Sequence, residues 1–304
     1  MTPEKACAVE IARVLFATDF SEVSAKALPY AAALARQFSA QLLAVHVIAP
    51  DAAEHEAGGS APAEAAMKRR READARIDRL LEAAHFRGVR HEVLVAEGEI
   101  VPTLASIAEQ RGADLMVLGM HGRHGVAKAL LGSMAEEILR LAEIPVLVVG
   151  PEVSLPPEEE LRMHRVLYAA DFSPECGRAL RYAGAIANAE GARLLVLHVV
   201  EDAWREPAST RLGGEEYLRV RLMEKGWMAS IEPIEPELLV DFGPVEDRIL
   251  LTAEQHRVEL IVLDVPSTLH PVLAAHLPGP LAYNVASHAR CPVLAVRGAI
   301  PQRP

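Results

Sequence analysis

The chain has 304 residues, enough for about two domains, and its formal net charge is −11. Acidic residues exceed basic ones in both halves, which argues against a nucleic-acid partner and means that any phosphate site must be local. No apolar run reaches the roughly 18 residues of a membrane span, so we expect no membrane partner. A start without a secretory signal and only three scattered cysteines favour a cytoplasmic protein without a disulfide framework.

Short apolar runs alternate with helical stretches along the first half. Strands are predicted near 12–18, 42–48, 91–96, 114–119 and 145–149, and helices near 22–38, 64–86, 99–111 and 132–142. The apolar runs are continuous rather than alternating, which is typical of parallel strands buried on both faces. The pattern predicts an α/β fold with a Rossmann-like, doubly wound, five-stranded and mainly parallel sheet carrying helices on both faces. Such sheets bind ligands at the carboxyl ends of their strands.

The second predicted helix carries a basic run, Lys68-Arg69-Arg70-Arg71, and follows a stretch rich in small residues at 52–63. A charge run of this kind most often forms a solvated helix face. The alternative is that this basic turn leans toward bound phosphates.

The sequence contains an internal repeat, the feature to seek before any motif. Segments 14–21, 43–47, 114–118 and 145–149 return, in the same order, as 166–173, 195–199, 259–263 and 292–296. Four recurring blocks in one order indicate a duplication. The sequence therefore predicts two tandem domains, 1–150 and 163–304, joined by a linker at 151–162 that is rich in proline and glutamate.

A glycine-rich loop at 119–133 follows the fourth strand of the first repeat. Glycine lets backbone N–H groups approach an anion without a Cβ in the way. Gly132 and Ser133 open the next predicted helix, whose N-terminus favours a phosphate, and Ser133 is expected either to cap that helix or to donate to a phosphate oxygen. The alternative is a glycine-rich connection with an N-cap serine and no ligand, since glycines alone are weak evidence.

The spacing Gly119-x2-Gly122-x9-Gly132-Ser133 resembles the ATP-binding motif of the universal stress protein family, as do segments 17–21 and 45–47. The resemblance covers nearly the whole chain, twice. It implies that ATP, with Mg²⁺ beside the triphosphate, is bound through Ala17, Thr18, Asp19, Val47, Leu118, Gly119, His121, Gly122, Gly132, Ser133 and Met134. In this scheme Asp19 accepts hydrogen bonds from the ribose or adenine, Val47 lines the adenine pocket through its backbone and side chain, and the loop wraps the phosphates.

Several of these residues have structural alternatives. Asp19 precedes a helical run and could act as a helix N-cap. His46 and His198 are expected to serve structure at strand ends. His121 and His124 lie three apart, a spacing that suits a metal, but no cysteine or acidic partner lies nearby in the sequence.

The second repeat departs from the motif. Asp264, Ser267 and Pro280 stand where the first repeat has Gly119, Gly122 and Ser133. The second loop also contains four prolines, each of which removes an N–H donor, and Asp264 adds a negative charge. Asp171 and Val199 survive, so an adenosine-like or other small ligand stays open. We expect triphosphate binding in the first repeat and a structural or regulatory role for the second.

The last predicted strand of each repeat is short and apolar. An exposed apolar edge is a liability that pairing removes, and in the resembling family this edge pairs with its counterpart in a dimer. The two halves are therefore expected to form a pseudo-dimer within one chain, and a homodimer of chains stays open.

The leading functional hypothesis is an ATP-binding stress or regulatory protein with at most slow ATP hydrolysis. The sequence has no Walker A Gly-Lys-Ser/Thr, no nucleophile with an evident base and no acidic pair near the loop, so it does not suggest a dedicated enzyme. Two alternatives are an adenine-nucleotide-cleaving enzyme of a related α/β class, which would release AMP and pyrophosphate, and a scaffold that binds no nucleotide.

Overall fold

Two sets of parallel strands, one from each repeat, alternate with helices along the chain. The computed structural model describes residues 9–50, 61–81, 88–120, 131–155, 161–172, 177–201, 213–265 and 281–298. The first repeat contains β1 (Arg13–Ala17), α1 (Glu22–Gln37), β2 (Gln41–Ile48), α2 (Ala61–Leu81), β3 (His91–Glu97), α3 (Ile100–Arg111), β4 (Leu115–Gly119), α4 (Leu131–Leu141) and β5 (Val146–Val149). The second contains β6 (Arg165–Ala170), α5 (Arg178–Glu190), β7 (Arg193–Val200), α6 (Gly214–Glu224), a 3-10 turn (Met228–Ile231), β8 (Glu237–Phe242), α7 (Val245–Gln255), β9 (Leu260–Val265), α8 (Leu281–His288) and β10 (Val293–Arg297).

The strand order is the same in both repeats. It runs β3-β2-β1-β4-β5 in the first and β8-β7-β6-β9-β10 in the second, and within each set all neighbours are parallel. The order reverses between β1 and β4, and again between β6 and β9, so each repeat has one topological switch point. This confirms the doubly wound α/β fold that the alternation of strands and helices predicts.

The two sheets are joined edge to edge into one sheet of ten strands. β5 and β10 pair antiparallel, with Leu147 opposite Leu294 at the centre of the contact. Both strands are almost fully buried, as expected for strands with neighbours on both sides. The pairing confirms the internal pseudo-dimer expected from the two short apolar strands.

Each face of the sheet carries one apolar core, and each core runs through both repeats. Val14 and Phe16 of β1 belong to the core beneath α1, α2, α5 and α6. Leu15, which points to the opposite face, belongs to the core beneath α3, α4, α7 and α8. The helices therefore form one layer on each side of the sheet. None of the described helices is long and apolar enough to cross a membrane.

Arg297 and Gly150 occupy equivalent positions of the two repeats, and each contacts the last helix of the other repeat at the junction. The guanidinium of Arg297 donates to the carbonyl oxygens of Leu139 and Ala142, at 3.2 and 2.9 Å, and so caps the C-terminus of α4. The equivalent residue after β5 is Gly150, and a Cβ there would lie 1.9 Å from the carbonyl oxygen of Ala286 in α8. At the C-terminus of α4 the junction is therefore capped by the Arg297 cation, whereas beside α8 the close approach of the backbone requires a glycine, Gly150.

Candidate nucleotide-binding site

The carboxyl ends of β1, β2 and β4 meet at the switch point of the first repeat. Ala17, the last residue of β1, lies opposite Val45 of β2 and Leu118 of β4. Just past this row the chain places Asp19 and Gly119, so the predicted site residues of three strands share one edge of the sheet. This edge is where a doubly wound sheet receives its ligands.

Val47 presents its backbone to the gap beyond β1. The N–H of Thr18 donates to the carbonyl oxygen of Val45 at 2.9 Å, which fixes the side of β2 that faces β1. Because backbone groups point the same way at every second residue, the N–H and C=O of Val47 face that side too, beyond the last residue of β1. Its side chain is buried in the core on the α3 and α4 face. Val47 therefore faces this gap with a backbone donor and acceptor, and its side chain does not line the gap as the resemblance implies.

Thr18 builds the turn that leads out of β1. Its hydroxyl accepts the N–H of Phe20 at 3.0 Å and lies 3.0 Å from the hydroxyl of Ser24. Phe20 adopts a left-handed conformation with φ of 63°, which turns the chain sharply into α1. The buried Thr18 side chain is thus used in shaping the edge, and Asp19 is left exposed at its rim.

Asp19 is held at this rim by the backbone. Its Oδ1 accepts the N–H of Ser21 at 2.9 Å. The N-cap of α1 is Ser21, whose side chain accepts the N–H of Ser24 at 3.1 Å, so the alternative role of Asp19 as the N-cap is wrong. A carboxylate in this place can accept hydrogen bonds from hydroxyl or amino groups of a ligand.

Gly119 allows α1 to approach the end of β4. A Cβ on Gly119 would lie 2.5 Å from the carbonyl oxygen of Val23, in the first turn of α1. The next residue, Met120, is buried and donates its N–H to the carbonyl oxygen of Val149 at 2.9 Å. The glycine is therefore required by packing, and it also brings the start of α1 to the edge where the glycine-rich loop leaves the sheet.

The remaining loop residues fall partly outside the described chain. His121 and Gly122 lie outside the described residues, as does His124. Gly132 and Ser133 lie within the first turn of α4, which begins at Leu131. The expectation that Ser133 caps this helix is therefore wrong, and its alternative role as a hydrogen-bond donor to a phosphate oxygen stays a prediction. First-turn N–H groups have no partner inside a helix, so a turn of this kind can donate to an anion. Met134 is partly buried against the core on the α3 and α4 face of the sheet.

His46 and His198 play the structural role expected of them. Nδ1 of His46 lies 2.8 Å from the carbonyl oxygen of Thr18, and its ring lies 4.3 Å from that of Phe20. In the second repeat the same arrangement joins His198 to the carbonyl oxygen of Ala170 at 2.8 Å. Within the described ranges, no group of three or more His, Cys, Asp or Glu side chains is arranged to hold a metal ion.

Comparison with known proteins identifies the family. The model of the universal stress protein family matches residues 10–150 and 163–297. The chain belongs to the universal stress protein family. Both repeats match, so the duplication read from the sequence is a duplication of the family's domain.

The relatives include shorter and longer members of the family. A universal stress protein of Methanocaldococcus jannaschii is 30% identical over 142 residues, which cover 45% of this chain and 81% of the relative. One from Mycobacterium tuberculosis is 38% identical over 110 residues, 36% of this chain but only 32% of that protein's length. The crystal structure of a universal stress protein from Archaeoglobus fulgidus shares the fold across 95% of this chain and 97% of its own, with a TM-score of 0.70 and 23% identity.

At the switch point of the second repeat, a buried tyrosine is hydrogen-bonded to a partly buried carboxylate. Asp264, at the position of Gly119, accepts a hydrogen bond of 2.6 Å from the phenol of Tyr168, which stands where the first repeat has Phe16. Helix α5 begins at Arg178, which is four residues later in the repeat than the start of α1. The repeat that carries a carboxylate in place of Gly119 is thus also the one whose first helix starts later. Sequence reasoning noticed Asp264 but missed Tyr168; the signal was the exchange of phenylalanine for tyrosine between aligned strands.

A separate cavity of about 180 Å³ lies between α1 and the second repeat, away from the carboxyl edge. Tyr30, Glu190 and Cys291 contribute to its lining. Burial raises the pKa of Tyr30 and of Cys291 to about 12, and burial also raises the pKa of Glu190. Burial and the raised pKa keep the Cys291 thiol protonated at neutral pH.

Proposed function

We propose that the first repeat binds ATP together with Mg²⁺, and that nucleotide occupancy regulates the conformation or partner choice of the protein in a stress response. The observation that carries this proposal is the position of the Val47 backbone beyond the end of β1, at the same edge of the sheet as the exposed carboxylate of Asp19. An adenine ring presents both a donor and an acceptor, which is what the N–H and C=O of one strand residue can pair with.

The residues present fit a nucleoside triphosphate in three places. Asp19 would accept from the ribose or adenine, Val47 would pair with the adenine through its backbone, and the first turn of α4 would donate N–H groups to the phosphates. Gly132 and Ser133 belong to that turn. Mg²⁺, when bound with the triphosphate, would neutralise part of its charge.

Binding rather than turnover is the activity we propose. The hydroxyls of Thr18 and Ser24 bond to each other at 3.0 Å in a buried turn, so neither is presented as a nucleophile. An enzyme that cleaves a nucleotide needs a base and a nucleophile positioned together. In the described part of this edge, the acidic side chain that follows β1 is Asp19, and neither of the two hydroxyls is presented to it as a nucleophile. We therefore expect no more than slow release of ADP, and no AMP or pyrophosphate.

Isothermal titration calorimetry with ATP and Mg²⁺ tests the proposal. The variants are Gly122→Glu and, as the matched control, Ser267→Glu at the aligned position of the second repeat. We expect one site per chain, lost in Gly122→Glu and retained in Ser267→Glu. Two sites in the wild type would show that the second repeat also binds nucleotide. A wild-type protein that binds none would contradict the proposal and favour a scaffold.

A further inference from the structure

Helix α2 reaches the carboxyl edge of the sheet with its N-terminal half. It follows β2 in the chain, so it starts at that edge and runs back along the sheet. Two contacts set its level: the guanidinium of Arg76 lies 4.7 Å from the ring centre of Phe20, just past β1, and Arg70 lies 3.9 Å from the carboxylate of Glu97, the last residue of β3. The basic turn (Lys68, Arg69, Arg70 and Arg71) therefore lies at the edge that carries the candidate site.

Within this basic turn, Arg69 lies on the side of the helix that faces the sheet. Ala73 and Ile77, four and eight residues further on, are buried against the core, and residues at this spacing share one helix face. Arg69 is partly buried, whereas Lys68, Arg70 and Arg71 are exposed. Arg69 is therefore the residue of the basic turn that lies on the sheet-facing side of the helix, at the edge that carries the candidate site.

The second repeat provides a comparison at the same position. Arg221 of α6 lies 5.0 Å from the ring centre of Phe172, as Arg76 does over Phe20. Leu218 and Leu222 repeat the buried stripe of Ala73 and Ile77. In this register the four residues of the basic turn correspond to Gly213, Gly214, Glu215 and Glu216.

The change removes the four cations and leaves no room for a side chain at the counterpart of Arg69. α6 begins at Gly214, the counterpart of Arg69, and a Cβ there would lie 2.9 Å from Cβ of Val240. Glu215 and Glu216 then place two carboxylates in the first turn. The repeat without the glycine-rich motif thus also lacks the cationic turn, and at both places it carries acidic groups.

We propose that the basic turn of α2 is a second phosphate-recognition element of the first repeat, with Arg69 as its main residue. It selects phosphorylated ligands over uncharged nucleosides. This inference rests on the proposed nucleotide site. A cationic turn beside a cleft raises the affinity for an anion because the charges attract across a region of reduced dielectric. Two separate segments of the chain, the loop after β4 and the start of α2, change together between the repeats, which is what a shared anionic ligand requires.

Substitution of Arg69 by glutamine tests the inference. Affinities for ATP, AMP and adenosine would be measured by calorimetry for wild type, Arg69→Gln, Arg69→Lys and Arg79→Gln. Arg79 is the matched control because it lies on the same helix, about 15 Å further from the edge at 1.5 Å per residue, and donates to the carbonyl of Ala75 in its own helix. Thermal unfolding would show that each variant is folded.

We expect Arg69→Gln to lower ATP affinity about tenfold, to lower AMP affinity less and to leave adenosine affinity unchanged. Arg69→Lys should keep most of the ATP affinity, and Arg79→Gln should resemble the wild type. Equal losses for ATP and adenosine would show a structural role and overturn the inference. Unchanged ATP affinity in Arg69→Gln, or an equal loss in Arg79→Gln, would overturn it as well.

Inorganic tripolyphosphate separates this inference from the proposed function. If the wild type binds tripolyphosphate through Arg69 but binds no ATP, the anion site stands and the adenine site is wrong. If ATP binds equally well with and without Arg69, the adenine site stands and the role of the basic turn is wrong. If neither ligand binds the wild type, both are overturned.

Discussion

The phenol of Tyr168 donates a hydrogen bond of 2.6 Å to the carboxylate of Asp264, across 96 positions of the sequence. The first repeat has Phe16 and Gly119 at the same two places, and there the Val23 backbone lies close to the glycine. A buried hydroxyl requires a partner, and Asp264 supplies one to Tyr168, so the two exchanges occur together. The pair places a carboxylate where the first repeat has only backbone.

Tyr168→Phe should destabilise the protein by about 1–3 kcal/mol because the Asp264 carboxylate loses a buried donor. The Asp264→Asn variant and the double variant complete a double-mutant cycle, measured by urea unfolding. A coupling energy of at least about 0.5 kcal/mol is expected for groups in contact. If the two single losses simply add, the hydrogen bond does not stabilise the fold.

Asp19→Ala should weaken ATP binding about tenfold or more, since it removes a charged acceptor at the rim of the first repeat. Asp171→Ala, the same exchange at the aligned position of the second repeat, should leave ATP binding unchanged. Calorimetry on both variants gives the comparison. A loss of ATP affinity in Asp171→Ala would place nucleotide in the second repeat.

Arg297→Ala should lower the free energy of unfolding by about 1–3 kcal/mol, because the carbonyl oxygens of Leu139 and Ala142 lose charged donors at the junction. Arg290→Ala is the control: its ion pair with Glu254, at 2.8 Å, is largely exposed, so its removal should cost less than about 1 kcal/mol. Chemical denaturation measures both. Equal effects of the two substitutions would contradict a special role for the cap.

Cys291 should make the protein less stable in alkali. Burial raises the pKa of its thiol from 9.0 to about 12, so the unfolded chain ionises first as the pH rises. The stability that this thiol contributes is complete below pH 9 and is lost progressively between pH 9 and 12, by about 1.4 kcal/mol per pH unit. Unfolding of wild type and Cys291→Ala in a reducing buffer at pH 8 and 10.5 measures this slope. The variant should show a shallower decline, although Tyr30 contributes a decline of its own to both proteins.

Regular structure was largely predictable because it depends on local pattern. The first helix, predicted at 22–38, is found at Glu22–Gln37, since Ser21 supplies a strong N-cap before an apolar stripe. The second helix, predicted at 64–86, is found at Ala61–Leu81, with residues 82–87 outside the described chain. Pairing of the two short apolar strands was expected from the dimer of the resembling family together with the exposed apolar edges.

Contacts between distant residues were not predictable in the same way. Arg297 meets Ala142 across 155 positions, and no periodicity in the sequence links them. The hydrophobic pattern placed Tyr168 on a strand but gave no sign of its bond to Asp264. The role of Gly119 was read as access for an anion, whereas the contact with Val23 shows a packing requirement that the sequence could not reveal.

Antiparallel pairing of β5 with β10 has a consequence for the composition of the assembly. Two identical separate chains meeting at this edge would form a unit in which both halves carry the same loop. Fusion makes every unit a fixed one-to-one combination of two unlike halves, and the short tether keeps them at high effective concentration. One half can then diverge without producing defective pairs, because it never meets a copy of itself at this edge. Asymmetry is thereby a property of each single molecule, independent of how much protein the cell holds.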